Sequence, residues 1–265
     1  MRVLFLGNNW MAWKILERLR DHGDEVVGLV IHPPSRRSYG EQLVAAAALD
    51  ASRIFEAEGL EERSVLRSIR ELDPEIGLSV LFGYILRPEF LKLLPAGCVN
   101  VHPAFLPFNR GAYPNVWSIV EGTPAGVTLH YLAESIDTGD IIAQQPVPIE
   151  PVDTGESLYR RLERTAVELF DETWARLRAG QAPRIPQNPA AGCSHRARDV
   201  GHIDEIELDR AYRARELIDL LRARTFPPHP GAYFRHDGRK VYLRLQLLWE
   251  DQLAESESDG SVHRD

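Results

Sequence analysis

The chain opens on an apolar run, Val3-Leu4-Phe5-Leu6, closed by Gly7. Apolar residues then recur at helical spacing (Ala12, Ile15, Leu16, Leu19) as far as Gly23, and a second apolar run follows at Val26-Val27-Gly28-Leu29-Val30-Ile31. Strand, helix, strand is the unit that builds a parallel sheet through a right-handed crossover. The pattern continues with helical stretches at 41–48 and 62–71, a buried strand at Ile76-Gly77-Leu78-Ser79-Val80-Leu81, and a short helix from Pro88 to Leu94. Cys98-Val99-Asn100-Val101-His102 reads as a further strand, stopped by Pro103. This alternation predicts an open α/β sheet.

From 126 onward the pattern changes. A strand at 126–132 leads through the turn residues Asp137-Thr138-Gly139-Asp140 to a second strand from Ile141 to Ile149. A long helix is expected from Asp153, with Glu156 completing a capping box. Its apolar positions, Leu158, Leu162, Ala166, Leu169, Phe170, Trp174 and Leu177, keep helical spacing up to Gly180. Residues 181–193, rich in Pro, Asn and Gly, read as a surface linker. A helix at 209–224 follows, then a hairpin at 232–245 turning on Asp237-Gly238. The fold expected is therefore α/β: a Rossmann-like open, mostly parallel sheet over residues 1–180, with a small C-terminal α+β extension over 194–254. The acidic, Ser-rich tail over 255–265 is expected to be disordered.

Composition narrows the classes. With 265 residues, 44% hydrophobic and 26% charged, the chain is an ordinary globular one, long enough to bury a core. A net charge of −8 argues against a protein living mainly on nucleic-acid phosphates. No apolar run reaches the length of a membrane span, and the start is too short to be a signal peptide, so no membrane and a cytoplasmic setting are expected. Cys98 and Cys193 form no CxxC pair, and the histidines show no ligand spacing of the HExxH kind, so no metal is expected.

Candidate chemistry lies in three places. The turn after the first strand, Gly7-Asn8-Asn9-Trp10-Met11-Ala12, lacks the further glycines of a dinucleotide fingerprint, which disfavours a nicotinamide cofactor. It still precedes a helix N-terminus, a natural anion site. Asn100 and His102, two apart, share one face of a strand and stand at its carboxyl end, where open α/β sheets keep ligands. Asp137 sits in a turn after a strand expected nearby. A carboxamide suits a developing oxyanion, an imidazole moves a proton near neutral pH, and a carboxylate orients the imidazole. Together the three make an acyl-transfer set without a protein nucleophile. Singly, each reads as a packed or turn residue, Asp140 most of all.

These residues fall into an ordered set: Asn100-Val101-His102-Pro103-Ala104-Phe105-Leu106-Pro107, then Arg110-Gly111-Ala112-Tyr113-Pro114-Asn115-Val116-Trp117, Gly126-Val127-Thr128-Leu129-His130 and Ile136-Asp137-Thr138-Gly139-Asp140-Ile141-Ile142. The set resembles the 10-formyltetrahydrofolate-dependent formyltransferases across roughly residues 76–178. The resemblance implies 10-formyltetrahydrofolate as formyl donor and Asn100, His102 and Asp137 as the catalytic trio. It also implies a pterin site at Phe82, Gly83, Tyr84, Ile85 and Leu86 with the 134–140 turn, Asp140 included. In the expected mechanism Asn100 and a protonated His102 hold the oxyanion, and Asp137 favours the charged imidazole.

Pro103-Ala104 after the histidine, the Arg110–Trp117 stretch, and Phe226-Pro227-Pro228 with Gly231-Ala232-Tyr233-Phe234 are most similar to the sugar N-formyltransferases. The acceptor this implies is a nucleotide-linked amino sugar, such as a dTDP-3-amino- or 4-amino-dideoxyhexose. Its nucleotide is expected against Asn9, Trp10, Arg110 and Tyr113. A homodimer through the C-terminal hairpin and no nucleic-acid partner are expected. The alternatives are a methionyl-tRNA formyltransferase, a formyltransferase for another small amine, and a folate-binding module without turnover.

Overall fold

The computed structural model of the chain describes residues 1–253; the disorder expected for 255–265 lies outside the described residues. The first apolar run is β1 (Arg2–Gly7), followed by α1 (Asn9–Asp21) and β2 (Glu25–Ile31). Next come α2 (Gly40–Ala47), β3 (Ile54–Glu56), α3 (Arg63–Glu71), β4 (Ile76–Val80), α4 (Pro88–Leu91) and β5 (Cys98–His102). The second half carries β6 (Arg110–Gly111), α5 (Pro114–Glu121), β7 (Gly126–Tyr131), β8 (Ile141–Pro146) and the long α6 (Gly155–Arg178). Beyond it lie β9 (Ser194–His195), α7 (Ala214–Ala223), β10 (Tyr233–His236) and β11 (Arg239–Tyr242).

Among the described residues a seven-stranded sheet runs in the order β3-β2-β1-β4-β5-β7-β8. The first five are parallel; β7 joins β5 antiparallel and β8 joins β7 antiparallel. The sheet is thus Rossmann-like, open and mostly parallel. Both faces are covered, which is why its central strands are continuously apolar rather than alternating. Val3 and Phe5 pack in a core with α1, α2, α5 and α6, while Leu4 and Leu6 face a second core with Ile69, Phe90 and Leu94. All seven apolar positions read along α6 are buried, and Trp174 also donates its indole N–H to Asp24 at 2.6 Å.

Several boundaries differ from the sequence pattern, for physical reasons. α6 begins at Gly155 rather than Asp153: Thr154 is the cap and Ser157 its box partner. Asp153 is engaged elsewhere, accepting the Glu150 N–H at 2.6 Å and the Ser157 hydroxyl at 2.8 Å. β8 stops at Pro146, short of Ile149, because Pro146 and Pro148 offer no N–H to a ladder. The helix expected over 209–224 is only Ala214–Ala223. α5, with Pro114 in its first turn, and the short β3 were not anticipated.

The 181–193 segment does more than link. Ile185 bridges to Ile141, Gln187 donates to the carbonyls of Asp137 and Gly139 at 3.0 and 2.7 Å, and Cys193 bonds Asn109. It is a strap across the 134–140 turn. Among the described residues no helix is long and apolar enough to cross a membrane.

Candidate active site

The strand order reverses direction between β1 and β4, which places a ligand crevice at their carboxyl ends. The loops after β1, β4 and β5 open there into a cleft of about 1110 Å³, whose lining includes Asn9, Leu81 to Leu86, and Asn100 to Pro103. The opposite wall brings Tyr159, Arg160, Arg196, Arg224 and Phe226 from α6 and the C-terminal extension.

On the cleft floor Asn100, His102 and Asp137 converge, with His130 buried beneath them. Antiparallel pairing sets Asn100 opposite His130 and His102 opposite Thr128, so all four point to one side of the sheet. The Asn100 amide donates to His130 Nε2 at 3.2 Å. That assignment follows from His130 Nδ1, 2.9 Å from the Tyr131 carbonyl, which can only accept and so fixes a proton on Nδ1. This is the one side-chain bond of Asn100 among the described residues; its second amide N–H is left for a ligand.

Asp137 comes from the turn, in the left-handed region with φ 54°. Its carboxylate lies 3.5 Å from both His102 Nε2 and His130 Nε2. Gly111 donates its backbone N–H to Asp137 Oδ2 at 2.9 Å. Only glycine serves at 111: φ is 90°, and a Cβ would collide with the His195 carbonyl. His102 Nε2 also faces the Asn109 carbonyl at 3.4 Å. With two oxygen acceptors around Nε2, the proton of a neutral His102 sits there, and Nδ1 is the basic nitrogen.

The electrostatics set the protonation of this group. Burial pushes the His102 imidazolium down, and outweighs the nearby Asp137 carboxylate that would hold it charged. Burial also works to raise the Asp137 carboxyl, yet the neighbouring His102 and the Gly111 N–H hold it below the usual carboxylate range. The resting pair is therefore an ionised Asp137 beside a neutral His102. Burial thus acts against the protonated histidine expected from sequence.

The remaining candidates divide. Phe82, Gly83, Tyr84, Ile85, Leu86, Asn9 and Tyr113 all line the cleft; Asn9 donates to the Tyr159 hydroxyl at 2.8 Å. Trp10 does not line it; the indole packs against the main core instead. Arg110 lies outside the lining, on β6 paired to Ser194. Asp140 is also outside it, and its carbonyl accepts the Tyr131 N–H in the turn. Sequence reading missed His130 as a member of the central group, Gln187 as the brace behind Asp137, and the arginines of the far wall. Period two along β7 and an antiparallel neighbour were the only signals for His130.

The comparisons agree with this architecture. Residues 1–173 match the formyl transferase family model, and 199–248 match the N-formyltransferase dimerization C-terminal domain. The chain belongs to the formyl transferase family. It is 36% identical over 239 residues to a methionyl-tRNA formyltransferase of Symbiobacterium thermophilum, covering 88% of this chain and 72% of that one. In structure it is similar to a 4-N formyltransferase from Francisella tularensis, with a TM-score of 0.80, 25% identity, and 94% and 98% of the two chains covered. It is also similar to the formyltransferase PseJ from Anoxybacillus kamchatkensis, described in complex with UDP-4,6-dideoxy-4-formamido-L-AltNAc and tetrahydrofolate. There the TM-score is 0.56 at 26% identity, with 76% and 89% covered.

Proposed function

We propose that the protein transfers a formyl group from 10-formyltetrahydrofolate to the amine of a nucleotide-linked amino sugar. The observation that carries this reading is the Asn100, His102, His130 and Asp137 cluster on the cleft floor of a formyl transferase fold. The apolar loop with Phe82, Tyr84 and Leu86, interrupted by the left-handed Gly83, suits a flat, polar-edged ring such as a pterin. The bound donor supplies the formyl carbon. Asn100 gives its free amide N–H to the formyl oxygen as charge gathers there. Neutral His102 takes the proton of the attacking amine on Nδ1. The new C–N bond forms as the bond to the donor nitrogen breaks, and His102 returns the proton to that nitrogen. Asp137 stays ionised and stabilises the transient imidazolium.

The acceptor lies toward the far wall. Arg160, Arg196 and Arg224 line that end, and Arg196 has no side-chain partner among the described residues, so the phosphates of a nucleotide are assigned there rather than to Arg110. A nucleotide-sugar acceptor is further supported by the PseJ complex, by the match to the N-formyltransferase C-terminal domain, and by a net charge of −8. That domain match and the exposed apolar hairpin support a homodimer as well. The second reading, methionyl-tRNA as acceptor, is favoured by the relative from Symbiobacterium thermophilum.

Asn100→Ala tests the catalytic assignment. Loss of one oxyanion donor lowers turnover by about 10²–10³-fold, while folate binding by fluorescence titration stays unchanged. Near-normal turnover would overturn the role of Asn100.

A further inference from the structure

A second cluster of chemically capable side chains stands behind the catalytic histidine. Glu121 ends α5, and Cys193 and His195 lie two apart along the extended strap that forms β9, so period two sets both on one side. Their ligand atoms, one carboxylate oxygen, one sulfur and one imidazole nitrogen, all fall within 4.8 Å of one another. His195 Nε2 lies 3.3 Å from Glu121 Oε1, yet it makes no hydrogen bond although the atom is buried. A polar nitrogen buried without a partner is costly unless something else meets it.

The surroundings hold Cys193 and His195 in place. The His195 ring stacks on Trp117 with centroids 4.0 Å apart and planes within 8°. The Asn109 N–H donates to Cys193 Sγ at 3.2 Å, and the backbones of Arg110 and Ala112 donate to the carbonyls of Cys193 and His195 at 3.0 and 2.9 Å.

We propose that Glu121, Cys193 and His195 form a binding site for a divalent metal ion, with Zn²⁺ as the best fit. One thiolate, one imidazole and one carboxylate are a Zn²⁺ donor set, with the fourth position left to water. Tetrahedral bonds of 2.0–2.3 Å need ligand atoms about 3.5 Å apart, within a small closure of the separations present. The backbone N–H already aimed at Sγ serves a metal-bound thiolate as an outer partner. Binding releases the Cys193 thiol proton to solvent. No spacing motif announces the site, because the third ligand lies 72 residues before Cys193.

The site adjoins the His102 group through Asn109. The Cys193 thiol donates to Asn109 Oδ1 at 3.1 Å, a bond that a thiolate cannot make. The carbonyl of the same Asn109 lies 3.4 Å from His102 Nε2. A metal at this site would therefore break a bond of the residue whose carbonyl faces His102.

The test is metal binding, independent of any acceptor. Full-length protein, stripped with a chelator, is titrated with Zn²⁺ against a chromophoric competitor and separately with Co²⁺. The expected result is one ion per chain and a thiolate-to-Co²⁺ charge-transfer band. Cys193→Ser abolishes the band, and Cys193→Ser and His195→Ala each weaken Zn²⁺ binding more than about tenfold. Cys98→Ser retains both signals, and circular dichroism confirms that each variant is folded. No stoichiometric uptake, or uptake unchanged in folded Cys193→Ser and His195→Ala, overturns the site.

Discussion

At the scale of the residue, the account turns on how one carboxylate serves two imidazoles. Asp137 is the group that raises the His102 pKa against the burial that lowers it below 6.5. Asp137→Asn removes that opposition, so His102 becomes still harder to protonate. The acid limb of the kcat/KM profile is then expected to move to lower pH, while kcat drops about 10²-fold or more with loss of the stabilised imidazolium. A limb that stays in place, or moves up, would separate Asp137 from His102. Asn100, His102 and Asp137 could be singled out in the chain because each residue type suits one job of acyl transfer, and the structure brings the three together. His130 could not, because its membership depends on the β5–β7 register, which neither strand states alone. The same limit bears on Arg110: it stands near these residues in the sequence motif but outside the cleft lining, whose arginines come from α6, the segment after Cys193 and the residue following α7, up to about a hundred residues away.

At the scale of the element, strands and helices followed from the pattern wherever burial was one-sided or complete. The apolar faces of α1 and α6 and the runs of β1, β2 and β4 all lie where their periods place them. What composition concealed was the strap. Pro, Asn and Gly read as a linker, yet here they allow close approach: a Cβ on Gly192 would collide with the carbonyl of Pro107. Two substitutions separate strap from scaffold. Gly192→Ala is expected to cost about 1–3 kcal/mol of unfolding free energy by overpacking and also to depress turnover, since the strap braces Asp137 through Gln187. Thr154→Ala removes the α6 cap and costs about 1 kcal/mol with turnover per folded molecule unchanged. Urea unfolding with parallel rate measurements checks both; equal effects on turnover would deny the strap its role.

At the scale of the whole molecule, the proposed function rests on two surfaces: the cleft and the C-terminal hairpin. Val241 and Tyr242 on the hairpin and Trp249 beyond it are 40%, 50% and 46% exposed, on or just past the segment that matches the dimerization domain. Val241→Glu with Trp249→Glu is expected to convert a dimer into a monomer in analytical ultracentrifugation; an unchanged sedimentation coefficient would place the interface elsewhere. The fold class could be read from the alternation of elements, since a parallel sheet leaves a long-range signature in the order of strands and helices. The acceptor could not, because phosphates from a nucleotide sugar and from a tRNA make the same demand on arginines. The most direct measurement is therefore formyl transfer from 10-formyltetrahydrofolate to a panel of nucleotide-linked 3-amino and 4-amino sugars and to charged initiator tRNA. The account predicts turnover with at least one nucleotide sugar and none with the tRNA. Transfer to the tRNA alone would contradict the acceptor assignment, and absence of transfer to any amine would contradict the enzyme itself.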